Sequence, residues 1–349
     1  MFVHFDMDYF FAQIEERDNP SIRGKIVCIC VFSGRTDDSG VVSTVNYQGR
    51  KIGIKSGMPI VFAKKRASGL TAHFIPMNKE KYEIESFEIT QIVKNNFEKT
   101  SQMSIDEWNC LGEVDVFEKA RNTKEKIFSE RKLTCSVGIA PSSLGAKIAA
   151  GKNKPDGLTR WDEKVEKDQI MEMDLIEVPG IGPKTAEILE KIGAKKVKDL
   201  EKIEKIKIIE EFGKKSGGLI NQIRDGDFPK EFAENKAPEG SSRIGTLKEI
   251  TRDEREIINK IMELEQELKN QIAIEKKTFK TLSVILISED LKIHSKSRTF
   301  KKSRGFREEN KKDIEELVLE FLANSDKKIR RVGIRYSNFE DLIGQTTLF

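Results

Sequence analysis

Histidine is nearly absent from this chain, with three among 349 residues. Cysteine is scarcely commoner at four, and Cys28 and Cys30 sit in the apolar run KIVCICVF, a spacing too short for ordinary zinc ligation. The spacing and the scarcity of histidine argue against a zinc cage, and Cys28, Cys30, Cys110 and Cys135 read as reduced thiols, mostly in core strands. No run of about 18 apolar residues occurs, so nothing here spans a membrane. Nor does a basic segment, an apolar stretch and a small-residue cleavage site open the chain. The expected address is cytoplasmic. Internal repeats and low-complexity segments are also missing. Neither sign of charge dominates, 62 Lys and Arg against 58 Asp and Glu, and the net +4 does not point to a nucleic acid by itself.

What is present is length and alternation. A chain of 349 residues predicts two to four compact units. Strand-like runs (MFVHF, KIVCICVF, GVVSTV, MSIDEWNCL, LTCSVGIA) alternate with helical ones (YFFAQIEER, KEKYEIESFEITQIVKNNF, DVFEKARNTKEKIFSERK, SLGAKIAAGKN) over the first 160 or so residues. This predicts a helix-covered sheet. Residues 166–228 carry helical patterns only, 228–243 read as a polar linker, and 244–341 alternate again as a separate α+β domain.

The chemistry begins at FDMDYFF, residues 5–11. Asp6 and Asp8 are two apart, so an extended strand turns both to one face, where they repel unless a positive charge intervenes. A second acidic pair, Asp106–Glu107, stands a hundred residues on in SIDEW. Carboxylates gathered this way suit Mg²⁺, and a two-ion site is a standard device for nucleotidyl displacement. The same four acids could equally be unrelated strand-end residues. Three further patterns bear on the choice. Tyr47 and Arg50 in NYQGRK are adjacent on a helical face, a phenol beside a guanidinium fork suited to phosphate oxygens. Lys152 and Lys154 precede a turn in GKNKPDG. In VPGIGPKTA, Gly180 and Gly182 offer main-chain N–H groups to a DNA phosphate, with a helix start and Lys184 following. Residues 291–307, LKIHSKSRTFKKSRGFR, hold seven Lys or Arg and no acid. That run is either a solvated edge or a phosphate-tracking surface.

Taken in order, DMDYFFAQIEE, VFSGRTDDSGVVSTVNYQGRKIGIKSGMP, SIDE, SVGIAPSSLGAKIAAGKNKPDG, VPGIGPKTAEIL and SRTF…RRVGIRYSNF resemble the Y-family DNA polymerases of the DinB (polymerase IV) branch, in their archaeal form, from residue 1 to about 340. The resemblance implies an α+β multidomain right-hand polymerase. Its ferredoxin-like palm would be 1–10 and 77–165, with small fingers at 11–76. A helical thumb with a helix-hairpin-helix would span 166–230, a linker 231–242 and an α+β little finger 243–341. It implies template-directed DNA synthesis across damaged bases, at low fidelity and without proofreading, by a monomer acting on primer-template DNA and deoxynucleoside triphosphates. Two Mg²⁺ ions are implied at Asp6, Asp106 and Glu107, with the Met7 carbonyl completing one shell and Asp8 in support. Tyr47, Arg50 and Lys154 match triphosphate contacts. Tyr9, Phe10 and Thr44 would lie against the incoming nucleotide, and Phe11 matches the ring that excludes a 2′-hydroxyl. Val41, Ser43 and Gly57 would roof the nascent pair. Lys296, Arg298, Lys301, Arg304 and Arg331 would grip DNA phosphates beside Gly180, Gly182 and Lys184. Gln345, Leu348 and Phe349 in the last residues, 342–349, resemble a sliding-clamp docking peptide.

Two departures stand out. Where the family pattern continues SIDEAYLD, this chain reads SIDEWNCL, so Trp108 and Asn109 replace a small residue and an aromatic. A bulky indole there could shift the strand, leaving a non-catalytic DNA-binding relative as the alternative. Gly49 replaces a commoner alanine and is expected to do little harm. A nucleotide cyclase would need neither the glycine hairpin nor the basic run, and a structural clamp-associated protein would need neither Phe11 nor Arg50.

Overall fold

Every second residue of Phe2–Met7 (β1) is a large apolar one, and Val3, Phe5 and Met7 all point into a core. The computed structural model that shows this describes residues 1–230, 232 and 238–342. Up to residue 230 the further strands are β2 (Ile26–Phe32), β3 (Gly40–Val45), β4 (Ala72–Pro76), β5 (Lys99–Gln102), β6 (Glu107–Leu111), β7 (Cys135–Ala140) and β8 (Leu158–Arg160). The helices are α1 (Phe10–Asp18), α2 (Tyr47–Lys51), α3 (Ile60–Arg66), α4 (Lys79–Asn96), α5 (Val116–Arg131), α6 (Ser143–Lys152), α7 (Glu163–Met171), α8 (Pro183–Lys191) and α9 (Lys205–Asp225). Beyond them lie β9 (Gly240–Thr251), α10 (Glu254–Ile274), β10 (Lys277–Ser288), β11 (Ile293–Arg304), α11 (Lys311–Ala323) and β12 (Ile329–Asp341). The linker expected over 231–242 is shorter than its pattern, since β9 begins at Gly240. No described helix is long and apolar enough to cross a membrane.

The chain divides into two compact units: Met1–Cys30, Val42–Met58 and Ala63–Asn235 in one, Val31–Val41, Pro59–Phe62 and Lys236–Phe349 in the other. In the first, a five-stranded sheet runs in the order β5-β6-β1-β7-β8, antiparallel except for β7-β8. Its short outer strands β5 and β8 carry too little apolar alternation to be foreseen. Helices α4 and α5 cover the face that holds Phe5 and Trp108. Helix α6 covers the other, and Gly138 on β7 makes this possible, because a Cβ there would sit 2.0 Å from the Ala146 carbonyl oxygen. Strands β3, β2 and β4 form a separate three-stranded sheet in that order. Between α7 and α9, Gly180 takes a φ of 95° and Pro183 starts α8, as the glycine hairpin predicts.

The second unit's four-stranded sheet, β11-β10-β12-β9, packs α10 and α11 on one face. Val332, Ile334 and Tyr336 on β12 pair with Leu286, Val284 and Leu282 on β10, and all six are buried under the helices. The alternate residues, Arg331, Arg335 and Ser337 beside Ile287, Ser283 and Thr281, form the other face.

Candidate active site

Asp6 and Glu107 are direct cross-strand partners on β1 and β6. Opposed residues of an antiparallel pair point to the same face, so the two carboxylates emerge together beside α6. Two steps down the same strands, His4 pairs with Asn109. SIDEW is not a strand throughout: β6 begins at Glu107, and Asp106 lies in the approach to it. The main-chain N–H of Met7 donates to the Asp106 carbonyl at 3.0 Å, tying that approach to the end of β1. The Asp106 carboxylate accepts a bond from the Ser104 hydroxyl at 2.6 Å. Among the described residues the tight cluster is His4, Asp6 and Glu107, whose ligand atoms all lie within 4.8 Å of one another.

Two lysines answer the clustered charge. Lys147 on α6 donates to both Glu107 oxygens, at 2.9 and 2.8 Å. Lys154 pairs with Asp6 Oδ1 and donates to the Met7 carbonyl at 3.2 Å. Burial raises the Asp6 carboxyl above its ordinary value, Lys154 opposes the rise, and Glu107 and Asp106 add to it. Asp8 is fully buried. It accepts from the Ser136 hydroxyl and the Asp156 N–H, both at 2.8 Å, so it fastens the KPDG turn to the strand that carries Asp6.

Helix α2 presents the next group. Asn46 caps it by accepting from Gly49 N–H at 3.1 Å, and its amide donates to Glu16 at 2.6 Å and to the Lys25 carbonyl at 2.7 Å. Tyr47 Oη is buried without a hydrogen-bond partner. Burial, with Asp8 and Asp6 nearby, pushes its phenol up to about 12 despite Arg50. The Arg50 guanidinium lies 4.9 Å from the Tyr47 ring centre, and the Tyr9 ring meets Tyr47 edge-on at 5.3 Å. Gly49 fits a tight place: a Cβ there would lie 2.3 Å from the stiff Val45 Cγ2. Thr44 and Ser43 are half-buried on β3.

Phe11 stacks on Tyr82 at 4.4 Å with an 11° tilt, and Tyr82 Oη donates to Glu15 at 2.9 Å. Phe10 is a correction, since its ring is 2% exposed in the core and cannot lie against a nucleotide. Trp108 corrects the concern about SIDEW. Its ring faces away from the carboxylates, buried against α4, and its Nε1–H donates to Thr90 at 2.9 Å while the Asp6–Glu107 register holds.

Three of the six basic residues expected on DNA are paired instead with acids of α11: Lys296 with Glu320, Arg298 with Asp313 and Glu316, and Arg304 with Asp313. The alternation of β11 turns them toward that helix. Lys301 and Arg331 are exposed, and Arg335, passed over in the sequence, shares a sheet face with Arg331. Its period-two spacing from Arg331 was the available signal. His4 and Lys147 were missed too, since no motif singles them out. Burial lowers His4 to about 4. Gln345, Leu348 and Phe349 lie outside the described residues.

Comparison with known proteins gives the same chemistry a family setting. Residues 5–151 match the impB/mucB/samB family model and residues 239–348 its C-terminal domain. A DNA polymerase IV of Saccharolobus solfataricus is 37% identical over 356 residues, covering 99% of this chain and 98% of that protein. One of Methanosarcina acetivorans is 34% identical over 360 residues, covering 99% and 98%. A Y-family DNA polymerase chimera of Dbh and Dpo4 superposes with a TM-score of 0.90 at 34% identity, covering 98% of this chain and 100% of the chimera. The insertion ternary complex of Dbh DNA polymerase gives 0.69 at 34% identity with the same coverage.

Proposed function

The chain belongs to the impB/mucB/samB family, the Y-family DNA polymerases of the DinB branch, and on that premise we propose how its residues divide the work. It is a template-directed, translesion-type DNA polymerase. One observation carries the site assignment: Asp6 and Glu107 are register partners with Asp106 tied to the end of the same strand. These are hard oxygen donors on a half-buried patch, a donor set that fits Mg²⁺. Asp6, Asp106, Glu107 and the Met7 carbonyl would hold two such ions, which would supply charge neutralisation at the primer hydroxyl and the triphosphate.

The chain's other groups position the substrates. Lys154, Arg50 and the unpartnered Tyr47 hydroxyl take the β- and γ-phosphates, so orientation and fixed positive charge lower the barrier. Tyr9 and Thr44 border the nucleotide, with Phe10 contributing only main chain. Phe11 blocks the space of a 2′-hydroxyl. Residues 1–10 and 77–165 act as palm, 11–76 as fingers and 166–230 as thumb, where Gly180, Gly182 and Lys184 hold a DNA phosphate. The little finger, from Gly240, grips the backbone through Lys301, Arg331 and Arg335. The tail carries the clamp peptide Gln345–Leu348–Phe349.

Extension of a primed template with dNTP beside rNTP tests this, using wild type, Asp106→Ala and Phe11→Ala. Wild type should add dNTP alone, Asp106→Ala nothing, and Phe11→Ala both. Wild type that binds primer-template but extends nothing would give the non-catalytic reading the lead.

A further inference from the structure

Beneath the carboxylates lies a side chain that polymerase chemistry does not call for. His4 is 1% exposed, on the face of β1 that carries Asp6. Its Nδ1 is 2.5 Å from Asn109 Oδ1, and its Nε2 has no hydrogen-bond partner. An amide oxygen only accepts, so the contact places the ring proton on Nδ1 and leaves a lone pair at Nε2. A buried acceptor left in that condition is costly unless it has an occupant. Metal-bound histidines are held this way: the far ring nitrogen donates to an oxygen that fixes tautomer and ring orientation. His4, Asp6 and Glu107 each offer a ligand atom, all within 4.8 Å of one another.

We propose that His4, Asp6 and Glu107 form a mixed nitrogen–oxygen site for a divalent first-row transition metal ion, oriented by Asn109, which this polymerase binds in preference to Mg²⁺. The proposal rests on the reading of Asp6 and Glu107 as metal-binding carboxylates. Mg²⁺ takes oxygen donors and keeps its waters, whereas an imidazole nitrogen suits first-row transition ions, zinc, copper, iron and nickel foremost. The cross-strand register sets His4 directly opposite Asn109, so a ligand and its orienter come in as a pair. Lys147 and Lys154, now on Glu107 and Asp6, are the cations an entering ion would displace.

The experiment is titration of the full chain with Mn²⁺ alone, followed by electron spin-echo envelope modulation of the bound ion. Wild type, His4→Phe and Asp6→Asn are compared. Wild type should show nitrogen modulation that changes when histidine is labelled with ¹⁵N. His4→Phe should lose that modulation and bind Mn²⁺ about ten-fold more weakly, while its Mg²⁺ affinity changes by less than about two-fold. Wild-type Mn²⁺ binding without nitrogen modulation, but lost in Asp6→Asn, overturns the proposal and leaves the carboxylate reading standing. Mn²⁺ binding unchanged in Asp6→Asn overturns that reading and the proposal with it. Should His4→Phe fail to fold, the labelled wild-type spectrum decides alone.

Discussion

Asp8 accepts the main-chain N–H of Asp156 across 148 residues of chain, and through that bond the Lys154 turn is held beside Asp6. Asp8 therefore supports the site without facing it. Asp8→Ala strands the buried Ser136 hydroxyl and releases the part-buried Asp156 N–H, and should destabilise the fold by about 2 kcal/mol. Freed of its anchor, Lys154 loses its aim, so KM for the nucleotide should rise more than kcat falls. Asp8→Asn, which keeps an acceptor oxygen, should recover part of both. Thermal unfolding and single-nucleotide kinetics on the three proteins decide it, and a stable Asp8→Ala with wild-type KM would refute the tether.

Trp108 is a core residue, not an active-site one. Trp108→Phe removes the indole bond to Thr90 and leaves a void, at a cost of about 1–3 kcal/mol, with kcat within about two-fold of wild type. Urea unfolding and primer extension measure the two effects separately. A loss of kcat without a loss of stability would put the indole back in the chemistry.

Acid should weaken the first unit through Glu85. Burial would raise this carboxyl, but hydrogen bonds from Arg131 and Arg17 outweigh it and hold it below its ordinary value. A depressed folded value contributes stability that is fully present above the unfolded value, about 4.3, and lost as pH falls through the lower folded one. Glu85 is 5% exposed, so Glu85→Gln should cost about 3 kcal/mol at neutral pH and flatten the loss of stability below about pH 4.3. Denaturant midpoints from pH 7 to 3 test this, and parallel acid limbs would sink it.

On the little finger, pairing predicts which charges reach DNA. Arg331→Ala with Arg335→Ala should weaken binding for every sequence and reduce the salt slope of the affinity by about 2. Arg298→Ala should instead lower stability, because it deserts Asp313 and Glu316, and leave the slope nearly unchanged. Equal slopes for both variants would overturn the division.

The carboxylates, the α2 pair, the glycine hairpin and the little-finger alternation were legible because each is a local pattern of residue types at fixed spacing. What failed was what spacing cannot carry. The run 291–307 reads as basic, yet whether a lysine faces solvent or an acid depends on α11, which follows it in the chain and packs on one face only. Trp108 looked intrusive beside Glu107 because adjacency in sequence hides the strand's alternation, which sends neighbours to opposite faces. Phe10 and Phe11 are indistinguishable by type, and only helix phase separates the core ring from the half-buried one. His4 became visible through its partner Asn109, a hundred residues away.

The ring pair Phe11–Tyr82 has a consequence of its own. Phe11 is backed by a parallel ring, and that ring is anchored through its hydroxyl to Glu15. An obstacle that can yield discriminates poorly, since a slightly larger sugar simply pushes it aside. One braced against a fixed surface rejects by compression, steeply and over a few tenths of an ångström. On the role proposed for Phe11, sugar selection is a mechanical property of a stack, and its stiffness is set by a tyrosine on a neighbouring helix that no nucleotide touches.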